Sequence, residues 1–187
     1  HREGKSVLGI CGGYQMMGIE VLDPDHVEGS LERLPGLGLL LVSTTMSGEK
    51  TTRQTRFALA TECSCESEAI LQGYEIHMGR TEPYDDAPRR PFALLDDGRE
   101  DGYVADARTM GTYLHGCLDN SEVVDMLLSP FTSHPSSTSE AAEPSAPLAT
   151  PHLDYRQYKQ EQYDRLADHV RQHLDMDKLY HILSTDD

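Results

Sequence analysis

A cysteine between glycines carries the clearest chemical signal in this sequence. Residues 9–13 read Gly-Ile-Cys-Gly-Gly, and they join a short apolar run to a stretch compatible with a helix. A sharp turn between a strand and a helix needs small neighbours, and it exposes its central side chain at the end of the strand. We therefore interpret Cys11 as a nucleophile, with the Gly12 N–H placed to stabilise a developing oxyanion.

A histidine that ends another predicted strand supplies a matching base. Residues 111–116 read Gly-Thr-Tyr-Leu-His-Gly, which places His115 where the strand gives way to a turn. A Cys and a His that are distant in sequence but both at strand ends fit a nucleophile and its general base. Taken singly, Cys11 also fits a small buried core residue and His115 a hydrogen-bonded turn residue. The pairing favours catalysis.

The elements that must position these side chains are short strands and a few helices. Strands are predicted at residues 6–10, 39–45, 54–61, 73–78 and 110–114, together with a hairpin of residues 92–95 and 102–105 around an Asp-Gly turn. Residues 23–38 are rich in Pro and Gly and are predicted to form a loop. Helices are predicted at residues 14–19, 122–128, 155–173 and 176–183.

The length of 187 residues fits one main domain. We expect residues 1–131 to form it, residues 132–152 to be a Ser/Pro-rich linker or insertion, and residues 153–187 to be a helical segment that docks on it. The chain has no Met at position 1 and its first strand begins almost at once, so we expect a fragment. No signal peptide precedes that strand, and a cytoplasmic location is expected.

Composition and charge exclude several classes of protein. No apolar run approaches the roughly 20 residues that span a bilayer, so no membrane partner is expected. The net charge of -16 opposes binding to nucleic acid and to anionic lipid. Cys63 and Cys65, with the nearby Glu62 and Glu66, form too weak a cluster to indicate a metal site, and no metal is assigned. A redox or zinc module is the remote alternative.

Three motifs resemble those of cobyric acid synthase, the glutamine-dependent amidating enzyme of cobalamin synthesis. Residues 9–18 resemble its nucleophile segment, residues 73–81 its middle motif and residues 111–116 its catalytic histidine segment, in the same order and at similar spacing. Residues 163–171 are similar to its C-terminal helix. The resemblance implies an α/β fold like that of class I glutamine amidotransferases, a three-layer arrangement in which helices flank a mixed sheet.

The resemblance also implies a reaction and its participants. Cys11 would attack the side-chain amide of glutamine, and His115 would protonate the departing ammonia. No cofactor is implied for this chain, whereas ATP and Mg²⁺ are implied for a synthetase domain that amidates a corrinoid, adenosylcobyrinic acid a,c-diamide. Substrate-binding roles are implied at Gly12, Gln15, Glu75 and His77.

This sequence departs from other class I amidotransferases in one catalytic position. Many of them carry a Glu two residues after the His, where this chain has Cys117, and the cobyric acid synthase branch also lacks that Glu. Glu75 is a candidate to orient His115, and an ordinary strand residue is the alternative. His77 equally fits a strand histidine that its neighbours satisfy.

Two other functional interpretations stay open. A cobyrinic acid a,c-diamide synthase-type amidotransferase shares the architecture, and a non-catalytic amidotransferase-like fragment would keep the fold without the reaction. The family has strands before the elbow and a synthetase domain that these 187 residues lack. We therefore expect this chain alone to fold poorly and to show weak glutaminase activity.

Overall fold

The computed structural model describes residues 1, 3–60, 70–132 and 155–184. The chain divides into two compact units, His1–Ala141 and Ala142–Asp187. The first unit contains β1 (Val7–Ile10), α1 (Gly12–Met17), β2 (Glu20–Leu22), β3 (Arg33–Pro35), β4 (Val42–Leu59), β5 (Leu71–Pro83), β6 (Ala93–Leu95), β7 (Glu100–Asp101), β8 (Tyr103–Asp106), β9 (Thr109–Thr112), β10 (Leu114–His115), a 3₁₀ turn (Cys117–Asp119) and α2 (Ser121–Thr132). The described part of the second unit contains α3 (Tyr155–His173) and α4 (Met176–Ser184).

The strands of the first unit form two mixed sheets. A three-stranded sheet has the order β1-β9-β8, with β1 parallel to β9 and β8 antiparallel to it. A seven-stranded sheet has the order β10-β5-β4-β2-β3, and it also includes β6, which pairs with β4, and β7, which pairs with β6. Mixed sheets together with helices confirm the α/β class, and the strands divide between two sheets.

The chain passes from one sheet to the other immediately before His115. β9 ends at Thr112 in the smaller sheet, and β10 begins at Leu114 in the larger one. The carboxylate of the buried Asp101 accepts the Thr112 hydroxyl and the Tyr113 N–H, the latter at 3.2 Å. One buried carboxylate therefore fixes the segment that joins the two sheets.

Helix α1 packs very closely on the smaller sheet. Gly9 of β1 stands opposite Gly111 of β9 in the parallel register. A Cβ on Gly9 would lie 2.6 Å from the Sδ of Met17 and 2.8 Å from the backbone N of Tyr14. Because both paired positions lack a side chain, Tyr14 and Met17 of α1 pack directly on the sheet, where they are almost fully buried.

The structure corrects several strand predictions. β4 is one strand of 18 residues where the sequence predicted two, and it runs antiparallel to β5 on both sides of an irregularity between Thr45 and Lys50. The predicted loop at residues 23–38 contains β3, which pairs with β2. The second arm of the predicted hairpin is β7, because the chain leaves for the smaller sheet at β8.

The predicted helices agree with the structure more closely than the predicted strands do. α1 begins and ends two residues before its predicted bounds, α2 is longer than predicted, and α3 and α4 confirm the two C-terminal helices. Docking of residues 153–187 on the first unit stays a prediction, and the linker at residues 132–152 lies almost wholly outside the described residues. None of the described helices is both long enough and apolar enough to cross a membrane.

The close approach of α1 to the smaller sheet can be tested at Gly111. A Cβ there would overlap the ring of Tyr14 and lie 2.9 Å from Leu40 Cδ1. We expect Gly111→Ala to lower the free energy of unfolding by about 1–3 kcal/mol, as overpacking does, measured by urea denaturation. Gly48→Ala is the matched control, because a Cβ there meets no described atom within 4 Å. Equal effects at the two positions would contradict the packing described.

Candidate active site

Cys11 occupies a strained turn between β1 and α1. Its backbone has φ 55° and ψ -117°. Residues other than Gly rarely adopt this conformation, which costs on the order of 1–3 kcal/mol. The Cys11 N–H donates to the Thr112 carbonyl at 2.9 Å, and the Gln15 N–H donates to the Cys11 carbonyl at 3.1 Å. The predicted elbow is therefore present, and hydrogen bonds on both sides hold it.

The glycines around Cys11 differ in what they contribute. Gly9 is sterically required, because Tyr14 and Met17 occupy the space of its Cβ. A Cβ on Gly12 or Gly13 would meet no described atom within 4 Å outside the backbone of α1 itself. The expectation that the residues after the nucleophile must be small is wrong here. Within the described residues the Gly12 N–H donates to no acceptor, so it is open to an oxyanion.

His115 lies on β10 beside Tyr74 of β5, its antiparallel partner. The two rings stack at 5.1 Å between centroids with 10° between their planes. The Nε2 of His115 is buried and forms no hydrogen bond within the part of the chain that the structure describes. The stack fixes the plane of the imidazole while one ring nitrogen stays unused.

β5 contacts both Cys11 and His115. The Cys11 thiol donates to the carbonyl of Ile76 at 3.3 Å, and Ile76 lies two residues beyond Tyr74. Residues two apart on a strand share a face, and the burial of β5 follows this rule, with Tyr74 37% and Ile76 40% exposed while Glu75 between them is buried. The imidazole of His115 lies on this face, because His115 pairs with Tyr74, and it forms no hydrogen bond with the Cys11 thiol.

Gln15 ties the elbow helix to both sheets. Its Nε2 donates to the Met78 carbonyl at 3.0 Å and to the Tyr113 hydroxyl at 3.1 Å. The same hydroxyl lies 2.6 Å from Thr81 Oγ1. Both amide protons of Gln15 are therefore engaged within the chain, which leaves its Oε1 as the group free to meet a ligand.

Glu75 faces the opposite side of β5 from His115. Its carboxylate bonds Arg53 Nε at 2.6 Å and an Arg99 terminal nitrogen at 2.7 Å, and Asp97 contacts both arginines. Burial raises the pKa of Glu75, but His77 and Arg53 outweigh this, so its pKa lies below the usual value. Glu75 is the buried member of an ionic cluster whose Arg53, Arg99 and Asp97 side chains are 37–45% exposed, and it does not contact the imidazole of His115.

His77 belongs to the same cluster. Its Nδ1 lies 3.1 Å from the Gly79 carbonyl, and its Nε2 lies 3.6 Å from Glu75 Oε1, an ion-pair distance longer than a hydrogen bond. Its ring stacks on Tyr113 at 3.8 Å between centroids. His77 thus connects the cluster of Glu75 to the tyrosine that Gln15 contacts.

Cys117, at the position of the missing acidic residue, has a structural role. Its side chain is fully buried in a core cluster with Phe57, Leu114 and Val123. Burial raises the pKa of the Cys117 thiol to about 11. A neutral, buried thiol cannot replace a carboxylate that orients the imidazole.

A cavity of about 890 Å³ opens over the Cys11 thiol. Most of its wall is apolar, and it includes the predicted site residues Cys11, Gly12, Gln15 and His77. A second, more polar cavity of about 750 Å³ contains Glu75 and Asp101, and His77 contributes to both cavities. No group of three His, Cys, Asp or Glu side chains in the described ranges could hold a metal ion, and Cys63 and Cys65 lie outside those ranges.

Residues 1–123 match the CobB/CobQ-like glutamine amidotransferase domain. The chain belongs to this family of enzymes. Along its full length it is 54% identical to a cobyric acid synthase of Bacteroides fragilis and 49% identical to one of Phocaeicola vulgatus. It covers 34% of each of these two proteins. A cobyric acid synthase of Syntrophobacter fumaroxidans is 38% identical over 98% of the chain and is 36% covered.

The chain therefore spans about a third of the length of the curated relatives it matches. Within this amidotransferase domain, sequence reasoning missed the contributions of Asp101 and Tyr113. Tyr113 lies in the motif that contains His115, and its position there was the available signal. Asp101 gave no local signal, because its partners Thr112 and Tyr113 reach it only through the fold.

The ionic cluster predicts a difference between two carboxylates of the domain. Glu75→Gln is expected to lower the free energy of unfolding by about 2 kcal/mol, because it removes the charge-assisted hydrogen bonds that the buried carboxylate makes to Arg53 and Arg99. Glu82→Gln is the matched control, since Glu82 also binds two arginines but has a side chain that is 38% exposed. The control should lose less than about 1 kcal/mol. Chemical denaturation measures both, and similar losses would count against the cluster.

The buried carboxyl group of Asp101 should make the stability of the domain depend on pH. Burial raises its pKa from 3.8 to about 6, although hydrogen bonds from Thr112 and Tyr113 lower it. The folded chain therefore binds this proton more tightly than the unfolded chain, so Asp101 destabilises the fold as the pH rises through this range. Between about pH 5 and about pH 7.5, the wild type should lose about 1 kcal/mol relative to Asp101→Asn. If urea denaturation gave the same change of stability with pH for the wild type and Asp101→Asn, the raised pKa of Asp101 would be refuted.

Proposed function

We propose that this chain is the glutaminase part of a cobyric acid synthase. The observation that carries the proposal is the strained Cys11, which opens into a cavity and whose thiol contacts β5 two residues from Tyr74, the residue on which the His115 ring stacks. The relatives named cobyric acid synthase, which match the chain along its whole length, support the same assignment.

The first half of the proposed reaction forms a thioester. The Cys11 thiol gives its proton to His115, and the sulfur attacks the side-chain amide carbon of glutamine. The Gly12 N–H stabilises the resulting oxyanion. His115 then gives the proton to the amide nitrogen, the C–N bond breaks, and ammonia leaves while the glutamyl group stays on Cys11.

The second half regenerates the enzyme. His115 takes a proton from a water molecule that attacks the thioester carbon, the C–S bond breaks, and glutamate is released. The proton returns to the Cys11 sulfur. The Nε2 of His115 has no partner in the described structure, which leaves it available for each of these transfers once substrate draws the thiol away from Ile76. Such hydrogen bonds often tighten only when substrate is bound.

The ammonia would be used in an amidation reaction that takes place outside this chain. An ATP- and Mg²⁺-dependent synthetase domain would use it to amidate peripheral carboxylates of the corrinoid adenosylcobyrinic acid a,c-diamide, in the cytoplasm. The family includes CobB-like members, so cobyrinic acid a,c-diamide synthase-type amidation is the alternative. The names of the relatives favour cobyric acid synthase. The net charge of -16 argues against nucleic acid and anionic membranes as partners.

Covalent trapping of Cys11 tests the proposal. A diazoketone analogue of glutamine should label Cys11 selectively, and peptide mass spectrometry locates the adduct. Cys11→Ser should abolish labelling, and His115→Ala should slow it about 100-fold, the range of a lost general base. His169→Ala is the matched control, because His169 is exposed on α3 and belongs to the second unit. Absence of selective labelling in folded protein would favour a non-catalytic amidotransferase-like fragment.

A further inference from the structure

The cavity over Cys11 is lined by two charged side chains that form no ion pair with any residue the structure describes. Among the described residues that line it, Lys50 is the only lysine or arginine, and it forms no ion pair. Glu28 is exposed and its carboxylate also has no ionic partner in the described ranges. The other carboxylate of the wall, that of Asp23, already accepts three backbone N–H groups. One free cation and one free anion therefore face a largely apolar cavity.

An irregularity in β4 determines that Lys50 lines this wall. Thr45 pairs with Arg80, and Lys50 pairs with Met78, so residues 46–49 lie where β5 has Gly79 alone. Gly79 has a φ of +96° at this point. Regular pairing would have placed Ser47 opposite Met78. Irregularities of this kind are common beside active sites, where they redirect a side chain.

The register fixes where Lys50 lies relative to the thiol. Directly paired residues point to the same face of a sheet, so Lys50 shares a face with Met78 and therefore with Ile76. The Ile76 carbonyl accepts the Cys11 thiol. Two residues along a strand correspond to roughly 7 Å. Lys50 and Cys11 thus line the same cavity, at a separation that a small extended molecule can bridge.

Asp23 holds the segment that carries Glu28. Its Oδ1 accepts the Val27 N–H at 2.7 Å, and its Oδ2 accepts the Glu28 N–H at 2.9 Å and the Gly29 N–H at 3.2 Å. These bonds, that from Glu28 first, hold the pKa of Asp23 below its usual value. The backbone at Glu28 is therefore fixed, while its carboxylate stays free.

The charge pattern matches one class of ligand. A free α-amino acid carries a carboxylate and an ammonium on one carbon, and an uncharged side chain would lie along the apolar wall. We propose that Lys50 binds the α-carboxylate, and Glu28 the α-ammonium, of the glutamine whose side-chain amide reaches Cys11. This assignment rests on the proposed function and adds the residues that recognise the head group.

Two labelling reagents separate recognition of the head group from reactivity of the thiol. The first is 6-diazo-5-oxo-L-norleucine, which carries the amino acid head group, and the second is a diazoketone of the same chain length without it. Lys50→Met and Glu28→Gln should each slow labelling of Cys11 by the first reagent about tenfold, the effect of one lost charge-assisted hydrogen bond. Labelling by the second reagent should not change. Lys50→Arg should retain most of the first rate.

Two control variants carry the same charge changes at positions outside the cavity. Lys5→Met and Glu3→Gln remove the same charges from exposed positions outside the cavity wall, and they should leave both rates unchanged. Equal rates for the first reagent in the wild type, Lys50→Met and Glu28→Gln would overturn this inference while the proposed function stands. If Cys11 of the wild type reacts selectively with neither reagent, the proposed function fails and the inference fails with it.

Discussion

The site depends on the segment at which the chain crosses from one sheet to the other. The Thr112 carbonyl accepts the Cys11 N–H, so this segment supports the strained turn from one side. Three residues later the same segment presents His115, beside β5. Asp101 fixes the crossing by accepting the Thr112 hydroxyl and the Tyr113 N–H. Cys11 and His115 are therefore positioned by one short stretch, and a shift of it would displace both.

A polar network extends this support beneath β5. Tyr113 stacks on His77 and hydrogen-bonds Gln15 of the elbow helix. His77 in turn approaches Glu75, whose carboxylate holds Arg53 and Arg99. Buried charges are costly unless they are paired, so the buried carboxylate of Glu75 depends on these partners. The strain at Cys11 is thus maintained by a connected set of buried polar contacts and close packing.

The local turn at Cys11 was predictable from the sequence, whereas the pairing between strands was not. The elbow at residues 9–13 needs only its own glycines and strand, and helices α3 and α4 follow from helical spacing. The register of β4 depends on β5, so its irregularity at residues 46–49 left no local trace. The sheet face on which the Glu75 side chain lies was also not predictable. Alternation would place the apolar Tyr74 and Ile76 inside, yet they face outward beside the thiol and the buried position is Glu75.

This inversion of β5 bears on how the imidazole of His115 is oriented. Glu75 lies on the opposite face, and the position two residues after the histidine holds a neutral, buried Cys117. Among the described residues no carboxylate contacts His115, and its observed ring contact is the stack on Tyr74. Stacking fixes the plane of the ring but supplies no charge to stabilise an imidazolium. In the proposed reaction, His115 would therefore hold its proton only briefly, as the proton passes between sulfur, amide nitrogen and water.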